Sequence, residues 1–215
     1  MRHEAAQWVP LFPKEEIPFI LAAVLRCSAG LRKKHATEHE NRISDRLRRL
    51  LVQDAELRRR PVQLDREASL YDDDSDDESP IGRLDFRFSF SAGMLKAWPY
   101  FGIEAKRLHV TFSSGWDCLV PEYVTGSQGM MCFIDERYAR GLVSGGMLGY
   151  VFDGGIDGAC ASVGAAISAN QEKLKTAPPF KLVPSSILPR DPHLTESVHA
   201  LSDRHFTIYH QFIAV

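Results

Sequence analysis

Arg83-Leu84-Asp85-Phe86-Arg87-Phe88-Ser89-Phe90 and Tyr100-Phe101-Gly102-Ile103-Glu104-Ala105-Lys106-Arg107-Leu108 are the two stretches from which the fold is read. Side chains on a strand alternate between its two faces. Leu84, Phe86, Phe88 and Phe90 therefore fall on one face, and Asp85 falls on the other with Arg83, Arg87 and Ser89. In the second stretch Phe101, Ile103 and Ala105 point one way, and Glu104 and Lys106 the other. If the two strands pair, two carboxylates and an ammonium converge on one sheet face. That set of groups suits a divalent cation held against a phosphate with a water to activate.

The chain has 215 residues, enough for one domain with a real core. A hydrophobic share of 44% and a charged share of 25% fit an ordinary globular protein. A net charge of −2 gives no global basic field, so nucleic-acid binding requires a local patch. Cys27, Cys118, Cys132 and Cys160 form no Cys-x-x-Cys pair, which argues against structural zinc or a disulfide framework and for a reducing cytoplasm. Met1-Arg2-His3-Glu4 carries no signal-peptide pattern. The apolar stretch 17–25 is too short to span a bilayer, so no membrane association is expected.

Working outward, Pro13-Lys14-Glu15-Glu16 predicts a helix start, with Ile20, Ala23 and Val24 on its buried face and an end near Gly30. A second helix is predicted from Thr37, with Thr37-Glu38-His39-Glu40 as a capping box and a stripe through Ile43, Leu47, Leu50 and Leu51. Pro61 closes it, and 62–67 reads as a first strand. Residues 72–80 are a flexible acidic loop that lacks the glycine and terminal glutamate of an EF-hand. A helical pattern runs over 121–139, a buried strand over 147–152 and an Ala-rich helix over 157–175. Segments 181–183 and 206–212 close the chain as strands paired with each other. The expected fold is α/β in a single domain over 1–215: a mixed sheet with helices on its faces.

The order of these elements, with Asp85 and Glu104-Ala105-Lys106 on successive strands, resembles the PD-(D/E)xK nuclease superfamily. The resemblance spans residues 37–152 and treats the C-terminal strands as an elaboration. It implies a restriction-endonuclease-like fold, a small mixed sheet with the first acid and the (D/E)xK on adjacent strands. It also implies a metal-dependent endonuclease acting on DNA, with Asp85, Glu104 and Lys106 as catalytic residues. Asp85, Glu104 and the Ala105 carbonyl would hold Mg²⁺, or Mn²⁺ in its place, and Lys106 would orient the attacking water. Some members add an acid from the preceding helix; Glu40 is the best-placed match and Glu38 the second. Leu84 stands where the family's proline often precedes the first acid. The run from Gly129 to Val151, with Ser202, His205 and His210, is similar to members from bacterial defence loci, which implies action against foreign DNA.

Plainer readings stand beside these. Lys106 also reads as a strand lysine paired with Glu104, Glu40 as a capping acid, and Glu67 as a solvated strand glutamate that could otherwise complete the metal site. Arg83, Arg87 and Arg107 flank the motif and are candidate nucleic-acid contacts. Arg46, Arg48 and Arg49, with Arg32, Lys33 and Lys34, form either a phosphate-contacting or a merely solvated face. The glycines of 141–158 lack the Gly-Lys-Ser/Thr of a P-loop. His199, His205 and His210 form no nucleophilic triad pattern; His205 is at most a phosphate contact. With no sequence-reading module left over, the expected partners are DNA and either a second copy of the chain or a second defence protein. The competing classes are a silent nuclease-like scaffold and a nuclease acting on RNA.

Overall fold

The computed structural model describes residues 12–65, 69–70, 82–90 and 99–215. Glu67 and the acidic stretch 72–80 lie outside the described residues, so those two readings stay as sequence expectations.

A 3₁₀ turn, Lys14–Glu16, leads into α1 (Ile17–Ser28); α2 spans Glu40–Gln53 and a second 3₁₀ turn spans Leu57–Arg59. The first strands are β1 (Val62–Asp65), β2 (Ser69–Leu70), β3 (Gly82–Arg83), β4 (Phe86–Phe90) and β5 (Tyr100–Leu108). The short hairpin β6 (Val110–Phe112) and β7 (Gly115–Asp117) precedes two short helices, α3 (Val120–Val124) and α4 (Met131–Ile134). Then come β8 (Ser144–Val151), α5 (Ile156–Ala169), β9 (Val183–Pro184), β10 (Leu194–Ala200) and β11 (His205–Ala214).

Seven strands form one mixed sheet in the order β1-β4-β5-β8-β11-β10-β9. The β5–β8 and β8–β11 pairs are parallel, and β1–β4, β4–β5, β10–β11 and β9–β10 antiparallel. Apolar clusters fill both faces. Ile43, Leu47 and Leu51 of α2, with Ile20, Leu21 and Val24 of α1, pack on Phe86, Phe88, Phe101, Ile103 and Ala105. Val163 and Ile167 of α5, with Tyr123 and Phe133, pack on Leu108, Met147, Val151, Ile208 and Phe212 across the sheet. Every residue of β8 is buried, as expected of a central parallel strand covered on both sides.

The structure departs from the sequence reading in several places, and α5 ends at Ala169 where the sequence predicts a helix to 175. Leu84 does not join Phe86: it lies in the opposite cluster, because the chain bends at Leu84-Asp85 between β3 and β4 and alternation holds only within a continuous strand. Gly102 makes room for it, since a Cβ there would sit 2.7 Å from Leu84 Cδ1. α2 begins at Glu40 with no side-chain cap, so there is no capping box at Thr37; it ends at Gln53, where Asp54 Oδ1 accepts from the Leu57 amide, well before Pro61. The pattern over 121–139 is two helices, not one. Met130 N–H donates to Tyr123 O at 2.9 Å, and a Cβ on Gly129 would lie 2.3 Å from that same carbonyl, so the chain turns here on a glycine. β9 and β11 are not partners: β10, which carries no clear apolar pattern, lies between them. The C-terminal strands are not appended to the sheet but complete it, because β11 covers the edge of β8.

β10 is held in the core by polar pairing. Ser197 Oγ lies 2.8 Å from both His199 Nε2 and His210 Nε2; Tyr123 OH meets His210 Nδ1 at 3.0 Å, and His199 Nδ1 meets the Leu174 carbonyl at 2.7 Å. Burial lowers His199 from 6.5 to about 4; burial and then the neighbouring His199 lower His210 to about 3. Both folded values lie below the ordinary one, so the fold holds these rings neutral. Their contribution is full above pH 6.5 and is lost as pH falls toward 4. Melting temperature should therefore decline between pH 6.5 and 4, and the decline should be shallower in His210→Gln, which takes up no proton. Parallel melting curves for the two proteins over that range would refute this account.

Candidate functional site

Where β4 stops, its neighbour continues. The β4–β5 register ends at Phe86 opposite Ile103, so Asp85 comes up beside Glu104 as the strands part. Asp85 Oδ2 accepts the Ala105 amide at 2.8 Å, taking the place a strand carbonyl would fill. Amide and carbonyl of one strand residue face the same edge, so the Ala105 carbonyl also faces this fork. Arg48, buried on α2, donates from Nη2 to the Asp85 carbonyl at 2.6 Å and pairs through Nη1 with Asp45 at 2.8 Å. Tyr138 fixes the other side of the bend, since its hydroxyl bonds both the amide and the carbonyl of Arg83.

Glu104 and Lys106 follow on the same face of β5, only 4% and 9% exposed. Lys106 Nζ lies 2.8 Å from Glu104 Oε1 and 3.8 Å from Glu40 Oε1. Glu40 Oε2 lies 2.9 Å from Arg107 Nε. Asp85, Glu104, Lys106 and Arg48 border a cleft of about 460 Å³ between α2 and the β3–β4 bend, lined also by Arg42, Asp45 and Arg83. The structure therefore brings together Asp85, Glu104, Ala105 and Lys106, with Glu40 at the margin.

Burial, then the charge of Asp85, pushes Glu104 up from 4.5 to about 8, against the pull of Lys106. Burial likewise raises Asp85, although the Ala105 amide opposes it. Burial alone would lower Lys106, but Glu104 beside it leaves it raised overall. Glu104 Oε2 is buried and has no hydrogen-bond partner among the described residues. Such an oxygen is costly unless something positive reaches it. Two adjacent carboxylates, an inward-facing carbonyl and that orphaned oxygen fit a hard divalent cation, which takes one or two carboxylates and keeps several waters. Among the described residues no three His, Cys, Asp or Glu side chains converge as a closed metal cage. A site for Mg²⁺ does not require one.

The other sequence candidates have definite places. Glu38 is buried and held by Arg46 at 2.6 Å and by the Lys34 amide, so it braces the approach to α2. Arg83 lines the cleft. Arg87 lies over the Tyr100 ring at 4.7 Å and within 3.7 Å of Asp65. Arg107 projects from the opposite face of β5 to Glu104, against Glu40, the Thr37 carbonyl and the Phe112 ring. Arg46 pairs with Glu38, and His199 and His210 belong to the buried network described above. Sequence reasoning grouped Arg48 with the surface basic residues; its place beside the apolar stripe of Ile43, Leu47 and Leu51 was the available sign of burial.

Comparison with protein-family models, curated proteins and solved structures finds no match to this chain. No described helix is long and apolar enough to cross a membrane.

Glu104 has its folded value above its ordinary one, so the stability it takes from the metal-free protein grows as pH rises from 4.5 through 8. Glu104→Gln should melt higher than wild type at pH 8.5, by at least about 1 kcal/mol or roughly 2–4 °C for a chain of this size. The gain should vanish near pH 4.5, and millimolar Mg²⁺ should narrow it by stabilising wild type alone. A gap independent of pH would disprove the electrostatic origin.

Proposed function

We propose that this chain is a Mg²⁺-dependent endonuclease with a restriction-endonuclease-like core, hydrolysing phosphodiester bonds of DNA. The observation that carries the reading is the fork at Asp85. There two carboxylates and a lysine meet at an open cleft where β4 parts from β5, and one buried Glu104 oxygen has no partner among the described residues. The order of acid, then acid-x-lysine, on neighbouring strands of a helix-flanked mixed sheet is also what the PD-(D/E)xK resemblance implies.

In this reading Asp85, Glu104 and the Ala105 carbonyl hold Mg²⁺, with Mn²⁺ as a substitute. When bound, the ion lowers the pKa of a coordinated water and offsets charge on the phosphorane. Lys106 stands next to the ligand carboxylate, where its ammonium orients the attacking water and meets negative charge developing on the phosphate. Arg48 and Tyr138 are positioning residues, fixing the backbone on either side of Asp85. Glu40 shares Lys106 with Glu104 and so biases where that ammonium sits. Defence against foreign DNA rests on the resemblance; assembly with a second copy or a defence partner rests on the lack of a sequence-reading module in the sequence and on the net charge of −2.

One observation favours a second reading. Lys106, Glu104, Glu40 and Arg107 form a continuous ion-pair chain, which would also suit a silent scaffold. Cleavage of supercoiled plasmid separates the two. Wild type should cut with Mg²⁺ and stop with EDTA. Asp85→Asn, Glu104→Gln and Lys106→Ala should each lose about 10²–10⁴-fold while remaining folded. Wild-type cutting by Lys106→Ala would remove the mechanism. Metal-independent inertness with DNA binding intact would establish the scaffold.

A further inference from the structure

The arginines chosen from the motif's flanks are largely spoken for: Arg87 by Asp65 and Tyr100, Arg107 by Glu40 and Phe112. The unspent positive charge lies elsewhere. A second hollow, of about 340 Å³, runs along α2 beside the cleft, and Arg42 and Asp45 line both. Arg42, Asp45, Arg46 and Arg49 recur at three- and four-residue steps and so share one helix face, with Lys34 and His35 opposite.

The hollow's two carboxylates are already engaged. Glu38 takes both Arg46 nitrogens, at 2.6 and 3.0 Å, and the Lys34 amide, and these hold it well below its ordinary value, at about 2. Asp45 takes Arg48 at 2.8 Å. Arg42, Arg49 and the Lys34 ammonium are exposed and have no side-chain partner among the described residues. A helix whose cations merely solvate a face is commonly laced with acids at i+4. Here Glu38 is turned inward to Arg46, the partly exposed Asp45 is paired with Arg48, and the charge left over is one-signed.

We propose that this α2 hollow is a phosphate track, binding the phosphodiester backbone of the nucleic acid next to the phosphate held in the Asp85–Glu104 cleft. The inference deepens the nuclease reading and rests on it. Seven residues of α2 separate Arg42 from Arg49, about 10 Å along the axis, the rise of roughly three nucleotides of one strand. Arg42 lies at the junction of hollow and cleft, so a strand leaving the cleft meets it first and Arg49 last.

The test measures the affinity of full-length Glu104→Gln protein, with Mg²⁺, for a fluorescent duplex DNA across 50–200 mM salt. Adding Arg42→Glu and Arg49→Glu should weaken binding at least tenfold. It should also flatten the slope of log K against log salt by about 1.8, two phosphate contacts at 0.9 each. The distant, exposed Arg190→Glu should change neither. Affinity and slope unchanged in the double variant for both duplex DNA and single-stranded RNA overturn the track while leaving the nuclease reading intact. An equal loss in Arg190→Glu also overturns it, because the effect would then be net charge alone. If Glu104→Gln protein binds no duplex and no single-stranded RNA of equal length, the track falls together with the function it rests on. A loss confined to RNA supports the track and reassigns the polymer.

Discussion

The 2.8 Å hydrogen bond from the Ala105 amide to the Asp85 carboxylate is the constraint on which the site depends. Without it, a strand that stops pairing would leave that amide and its neighbours without partners beside a buried core. A bond to a charged acceptor contributes about 1.5–3 kcal/mol, more than a ladder bond of the ordinary kind. It thus ends β4 without leaving an orphan. The same contact fixes the carboxylate next to Glu104, so one interaction both ends the sheet pairing and assembles the acidic pair. Arg48 completes the arrangement from below, since its guanidinium holds the Asp85 carbonyl while its plane lies 5.5 Å from the Phe86 ring.

Around that bond the charges are arranged in series. Glu104 is buried and coupled to Asp85, which alone would favour protonation, and Lys106 at 2.8 Å pulls the other way. A buried pair of this kind gives little net stability, because desolvation offsets most of the attraction. Its retention in a core otherwise packed with phenylalanine, leucine and isoleucine points to what the charges do rather than to what they stabilise. Glu40 is drawn toward Arg107 on the far side of the strand, so Lys106 is left chiefly to Glu104.

The parts legible in the sequence were those decided by short-range periodicity. Phe86, Phe88, Phe101 and Ile103 alternate cleanly, and the structure puts all four in one cluster, with Glu104 and Lys106 turned away. Leu84 was misplaced because one bend resets the alternation, and no residue type marks that bend. β10 was missed for a different reason. Glu196, Ser197 and His199 are buried through bonds to Ser186, His210 and Leu174, so its burial is written in distant partners and not in its own hydropathy. The capping box failed because its acid, Glu40, is drawn to Arg107 on β5 at 2.9 Å, a tertiary contact that outcompetes the local one, and the helix begins at Glu40 itself. Neither kind of information is carried by a local window.

The same distinction bears on what folds as a unit. Read by motif, residues 37–152 look sufficient and the remainder dispensable. Yet β8, which lies directly against the Glu104-bearing strand, is bonded on its other edge to β11 along Ser144–Val151. Removing the C-terminal segment would expose that edge and take Phe206, Ile208 and Phe212 out of the cluster beneath α5, leaving Val163 and Ile167 without their cover. An unpaired strand that was wholly buried is an aggregation surface rather than a stable edge. The position of Glu104 is therefore set from both ends of the chain. Asp85 and α2 hold β5 from one side, and β11 holds it from the other through β8. The cleft keeps its geometry only in a sheet built from nearly the whole sequence.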